Sequence, residues 1–370
     1  MTAPLQHPPV SIALVGCGNF ARRQHLPNLA RLPGAQLAAV CDADPATAAA
    51  AAKTFGARSA FTALHQVLEE PGIQAVVLTV RDDLQAELGC QVLRAGKSLY
   101  VEKPAAESEA DFQRLIDAQQ QSGGIVAVGF QKRFAPAYRA VREVLLADGG
   151  PRNVFCRMAD DAWRWAHGYP PGALLHHDAC HLFDLLRYFT GAEVKTVVCA
   201  ASRPDDDALL LVFDHGVTAT LLHSGHASLD FPKERFEAVT QRGGVIMDDF
   251  VETRAFGMPG LAARQTFPLR AAETGAPPEF CGGIGDFLVI RRRIWEEMTQ
   301  TGGPPRIIPN FLRDQGWEES MRAFLQAVHE GSPGPHATLE DARAAARIAD
   351  AACRSRETGL PVSFGDSVHA

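Results

Sequence analysis

Residues 10–21 read VSIALVGCGNFA: an apolar run, Val10 to Val15, meets Gly16, Gly18 and Ala21 at the spacing G-x-G-x-x-A, and a helical pattern follows. Such a run ahead of a glycine turn has the form of a buried strand. Gly16 permits the tight turn, Gly18 lets the backbone approach a pyrophosphate, and the small Ala21 lets the helix pack close to the strand. Free N–H groups at the helix start, around Asn19 and Phe20, suit an anion. A second apolar strand, Leu37 to Cys41, ends at Asp42, roughly 20 residues past the glycines, where a carboxylate accepts hydrogen bonds from an adenosine ribose. Asp42 could instead only cap the helix that begins near Pro45. Read together, the pattern predicts an NAD-binding domain. NAD is expected over NADP, because the acid repels a 2′-phosphate and Ala43 and Asp44 supply no arginine.

Outward from this stretch, apolar strands near 75–80, 98–101 and 125–129 alternate with amphipathic segments over 46–55, 84–95 and 107–121. This rhythm predicts a doubly wound parallel sheet. After a helical pattern over 135–146 and the break Asp148 to Pro151, the texture changes to short strands over 154–158, 194–199, 208–213, 217–224, 236–239 and 245–247. Turn signals such as Asp214-His215-Gly216 join them and predict a second, α+β domain with a large, mostly antiparallel open sheet. Two helical patterns, 317–329 and 339–357, close the chain. The expected division is a disordered lead over 1–9, a cofactor domain over 10–134 and a substrate-binding and oligomerisation domain over 135–370, whose last helices pack back on the first.

At 370 residues the chain exceeds one core by the usual length of about 150 residues per domain. A net charge of −7 with no basic tract argues against nucleic acid or an anionic membrane as partner. The eight cysteines form no C-x-x-C pair and read as buried thiols of a reducing compartment. No segment approaches an uncharged run of about 18 residues, and a cytoplasmic protein is expected.

Three further motifs carry a resemblance over nearly the whole chain: Val101-Glu-Lys-Pro104, Val128-Gly-Phe-Gln-Lys-Arg-Phe134, and the run from Gly172 to Gly191, GALLHHDACHLFDLLRYFTG. With the ending Leu339-Glu-Asp-Ala and Leu360-Pro-Val-Ser-Phe364, they resemble the glucose-fructose oxidoreductase, inositol dehydrogenase and rhizopine-catabolism superfamily (Gfo/Idh/MocA). That resemblance implies a Rossmann domain, an open-sheet domain, and NAD-linked oxidation or reduction of a sugar, cyclitol or related polyol by a homodimer or homotetramer. Within the superfamily, NAD-dependent glycosidases or lyases and non-catalytic NAD and sugar sensors are the alternatives.

Lys103 follows a parallel strand, where doubly wound sheets place ligands, and can donate to a reacting hydroxyl. An ordinary salt bridge to Glu102 is the plainer use of it. His181, on a helix, is matched to taking a hydroxyl proton near neutral pH, and His177 and Asp178 project near the same face. The family generally places Asp four residues before this His; here that position is His177, so Asp178 orienting His181 and His177 binding substrate both stay open. The family's Thr-Pro and following His are replaced by Thr79-Val80 and Gln85. Thr79, Glu102 and Lys103 are grouped with the cofactor contacts, and Arg133, Trp163 and Trp165 with the substrate; Arg133 is equally suited to an ion pair, and Asp184 is read as structural. His177 and His181 also have the i, i+4 spacing of zinc peptidases, without a recognisable third ligand, and no metal is expected. His223 and His226 read as exposed or structurally hydrogen-bonded.

Overall fold

Val10–Val15 (β1) is buried along its whole length, as a strand flanked by sheet on both edges and helices on both faces must be. The computed structural model describes residues 8–162, 166, 168–269, 282–302 and 312–365. Most of the expected lead, together with Trp163, Trp165 and Cys281, lies outside them. The chain divides into two compact units, one of residues 1–131 and 317–346, the other of residues 132–316 and 347–370.

In the first unit Ala35–Cys41 (β2), Ser59–Phe61 (β3), Ala75–Leu78 (β4), Ser98–Val101 (β5) and Val126–Val128 (β6) join β1 in a parallel sheet of order β3-β2-β1-β4-β5-β6. This is the doubly wound order, whose direction reverses between β1 and β4 and opens a crevice beyond their C-terminal ends. β3 and the helix Leu64–Glu69 were not anticipated: a three-residue edge strand carries too few residues to show a period. The helix after the glycines is two pieces, Asn19–Arg23 and His25–Arg31, broken where Gln24 takes φ −120° and ψ −63°. Helix Trp317–Glu330 belongs to this unit and buries Met321, Phe324 and Leu325 in a core shared with Leu26, Leu29 and Tyr100. There the Tyr100 and Phe324 rings meet edge to face with centroids 5.6 Å apart.

The second unit holds a nine-stranded sheet. Its strands are Asn153–Ala159 (β7), Val194–Arg203 (β8), Asp206–Phe213 (β9), Thr218–Ser224 (β10), Glu234–Val239 (β11), Gly244–Asp248 (β12), Glu252–Phe256 (β13), Arg264–Thr266 (β14) and Val362–Ser363 (β15). Their order is β14-β13-β12-β11-β7-β10-β9-β8-β15, antiparallel throughout except between β7 and β10. Burial alternates along β9 and β10: Leu209, Leu211 and Leu221 face the core, while Leu210 and Leu222 are each 42% exposed on the other face. On the covered face, helices Pro136–Ala147 and Cys180–Thr190 pack through Tyr138 and Phe189 against Phe236. β13, β14 and helix Ile284–Thr301 were missed because charged residues such as Arg291 and Arg254 interrupt their apolar patterns.

Candidate active site

Gly16 has φ +93°, and a Cβ there would lie 2.5 Å from the Thr79 carbonyl oxygen, so the loop after β1 closes on the end of β4 only with glycine. Thr79 locks that approach by donating its hydroxyl to the Gly16 carbonyl at 2.7 Å. At Gly18 φ is −66° and a Cβ would meet nothing within 4 Å. The backbone is bare toward open space there, as close approach of a pyrophosphate requires. Asn19 accepts from Arg22, and Phe20 stacks edge to face on Trp317 with centroids 5.1 Å apart.

Asp42 receives the backbone N–H of Cys17 at 2.8 Å and of Asp44 at 3.0 Å, which fixes its carboxylate beside the glycine loop. The helix Pro45–Phe55 is capped by Asp44, which accepts from Ala46 and Thr47, so capping is not the work of Asp42. Burial, then the adjacent Asp42 charge, pushes the Cys17 thiol up to about 12. The fingerprint cysteine is therefore a protonated, unreactive thiol at neutral pH.

Lys103 is half-buried just beyond β5 and joined to Pro104 by a cis peptide bond. The Glu102 side chain turns inward: it accepts from His25 Nε2 at 2.8 Å and from the Lys103 backbone N–H at 3.2 Å. A Cβ on Gly129 would strike this carboxylate at 2.7 Å, so β6 makes room for it. Gln85 donates to the Glu102 carbonyl at 3.0 Å. Sequence reasoning missed His25; a buried histidine on a helix carries no signal until its acid, 77 positions away, is placed beside it.

In the second unit His177 and Asp178 lie on a π-helical turn, Leu175–Ala179, that runs into the helix bearing His181. A π turn holds one more residue than an α turn, and such turns recur at functional sites. It also alters the α-helical face on which these side chains were expected. The His177 ring stacks against Tyr169, with centroids 4.1 Å apart. Asp178, 6% exposed, faces the sheet: Oδ2 lies 3.6 Å from His223 Nε2 and Oδ1 3.6 Å from Lys233 Nζ. Burial alone would raise the Asp178 carboxyl, but Lys233 and then His223 outweigh it and hold it well below the usual range.

Arg133 Nε donates to Asp184 at 2.8 Å in a buried bidentate ion pair, and its guanidinium lies over the Tyr188 ring. Next to it Lys132 pairs with Glu234, which also accepts from the Tyr138 hydroxyl. His223 is buried, and the exposed His226 reaches the Pro204 carbonyl at 3.2 Å. Among the described residues no three His, Cys, Asp or Glu side chains are grouped to hold a metal ion, and no helix is long and apolar enough to cross a membrane.

Two family models match the chain: "Oxidoreductase family, NAD-binding Rossmann fold" over residues 10–130 and "GFO/IDH/MocA C-terminal domain" over residues 143–246. Inositol 2-dehydrogenase 2 of Saccharopolyspora erythraea is 31% identical over 250 residues, a match spanning 65% of each chain. This chain thus spans just under two thirds of that relative's length. Inositol 2-dehydrogenase of Leifsonia xyli is 27% identical over 96% of both chains. Scyllo-inositol dehydrogenase of Lactobacillus casei, solved with NAD(H) and scyllo-inositol, superposes with a TM-score of 0.74 at 18% identity, over 96% of this chain and 99% of that one.

Proposed function

Since the chain belongs to the Gfo/Idh/MocA oxidoreductase family, we propose that it is an NAD-dependent dehydrogenase that oxidises a carbinol of a cyclitol, sugar or related polyol. The observation that carries the cofactor half is the bare Gly18 backbone beside the pinned Asp42 carboxylate. The names of the relatives, inositol dehydrogenases in two bacterial genera, support the substrate class.

In this reading residues 10–134 bind the cofactor, and residues 135–370 bind substrate and mediate assembly. The loop through Gly16 and Gly18 takes the pyrophosphate, and Asp42 takes the ribose hydroxyls. NAD, when bound, supplies the hydride acceptor. Lys103 donates to the reacting hydroxyl oxygen and stabilises its alkoxide character. His181 takes the hydroxyl proton, for which an imidazole suits neutral pH. His177, held by Tyr169, is offered to a substrate hydroxyl.

The test is a panel of inositols and sugars incubated with the protein and NAD, with NADH followed by absorbance and products identified. Net oxidation of a polyol is the expected result. NADH-free bond cleavage, or binding without turnover across the panel, would overturn the reading.

A further inference from the structure

We propose that His223 is a positioning residue for the proton-transfer histidine: clamped between Asp178 and Asp207, it ties the π turn Leu175–Ala179 to the sheet and so sets the helix start from which His181 projects. Its catalytic consequence rests on the role given to His181 above.

His223 lies on β10 directly opposite Asp207 of β9. Its Nδ1 is 3.7 Å from Asp207 Oδ2, and its Nε2 is 3.6 Å from Asp178 Oδ2. The ring is wholly buried, so neither carboxylate is shielded from it by water. Lys233 Nζ bonds Asp160 at 2.5 Å and approaches Asp178, and Arg356 bonds Asp207 at 2.9 Å. With the buried Asp161 and the buried Arg291, whose charge acts on Asp160 and Asp161, four carboxylates face three fixed cations among the described residues, and a neutral His223 would leave one negative charge in excess. A protonated His223 closes the balance. The neighbouring pairs Lys132–Glu234 and Arg313–Asp249 are each neutral, and the Cys199 thiol beside Asp207 is pushed up to about 12 by burial and then by that carboxylate. Burial opposes charge on His223, but the two carboxylates prevail and push its pKa up to about 9.

This matters for the turn because i→i+5 winding is rare and occurs mostly as single turns inside α-helices, so the α-helical winding is the competing state. Asp178 is the turn's ionic contact with the sheet, three residues before His181. Removing the charge on His223 leaves Lys233 as the remaining cation beside Asp178, so the carboxylate shifts toward that amine and the turn relaxes toward an α-helical winding, which rotates the residues beyond it. Asp207 acts one step further back, by keeping His223 charged.

The experiment compares His223→Gln, His223→Lys and Asp207→Asn with the wild type in the full chain. Steady-state oxidation of the best polyol is measured together with NAD affinity and histidine side-chain NMR on 15N-histidine protein, with the His181 signal assigned through His181→Gln. The expected result for His223→Gln is a kcat about ten- to hundredfold lower with KM changed far less, NAD affinity unchanged, and a displaced His181 signal. His223→Lys restores part of kcat by returning the charge. Where His223→Gln does not fold, Asp207→Asn must show the same kcat loss and the same displaced signal. Unchanged kcat, or an unmoved His181 signal in a folded variant, overturns the proposal. If the wild type oxidises no polyol, the proposed function fails, and the NMR displacement alone then decides whether His223 positions the turn.

Discussion

Gly16 and Thr79 hold each other across the point where the strand order of the first sheet reverses. The Thr79 hydroxyl donates to the Gly16 carbonyl at 2.7 Å, and the Thr79 carbonyl stands 2.5 Å from where a Gly16 Cβ would be. The glycine spacing thus answers two different demands: contact with backbone at Gly16 and, in the proposed function, clearance for the cofactor at Gly18.

These demands predict different phenotypes. Gly16→Ala collides with backbone at a positive φ, so melting temperature and NAD affinity should both fall. Gly18→Ala meets nothing, so the fold should melt as the wild type does while NAD binds about tenfold or more weakly. Thermal melts paired with NAD titration check this. Wild-type NAD affinity in Gly18→Ala would count against the placement of the pyrophosphate.

Asp42, held by two backbone N–H donors beside the loop, should make the protein prefer NAD to NADP. Asp42→Ser combined with Ala43→Arg should narrow that preference, at some cost in stability because the Cys17 N–H loses its carboxylate. Fluorescence titration with both dinucleotides measures it, and tighter NADP binding by the wild type would refute the assignment.

The cofactor half was legible in the sequence because its chemistry is local: strand, glycine turn and acid follow within a single run, and each residue type has one backbone reason to be there. Even so, the sequence could not tell which of Asp42 and Asp44 caps the helix, because both acids stand at the strand end and only geometry shows that Asp44 does. The second half was less legible. A π turn has no sequence period of its own, so His177, Asp178 and His181 were assigned to an α-helical face that the turn alters. His223 and Lys233 reach Asp178 from strands and loops 45 and more residues away, and pairing of that kind appears only with strand register.

A pH dependence of stability follows from His223. Its folded pKa, about 9, lies above the ordinary imidazole value of 6.5, so its contribution is complete below that ordinary value and is lost as pH rises through the folded one. Melting temperature should fall between neutral pH and about pH 10, and His223→Gln should be less stable than wild type at neutral pH and lose less over that interval. Parallel melts of the two proteins test this; equal slopes would show that His223 is neutral in the fold.

Leu210 and Leu222 lie exposed on the uncovered face of the nine-stranded sheet, with Phe231 exposed in the loop after β10. A dimer or tetramer burying this face is expected. Light scattering at micromolar concentration should give a multiple of 39.9 kDa, and Leu222→Glu should reduce it to the monomer mass. A monomeric wild type would refute the expectation.

The most direct test of the account is the turnover of Lys103→Ala and His181→Ala on the polyol the wild type oxidises, measured as NADH formed at saturating NAD. Each variant is expected to show about 10²- to 10⁴-fold lower kcat, the usual scale for losing positioned acid–base help, with NAD affinity nearly unchanged. Full activity of His181→Ala would contradict it.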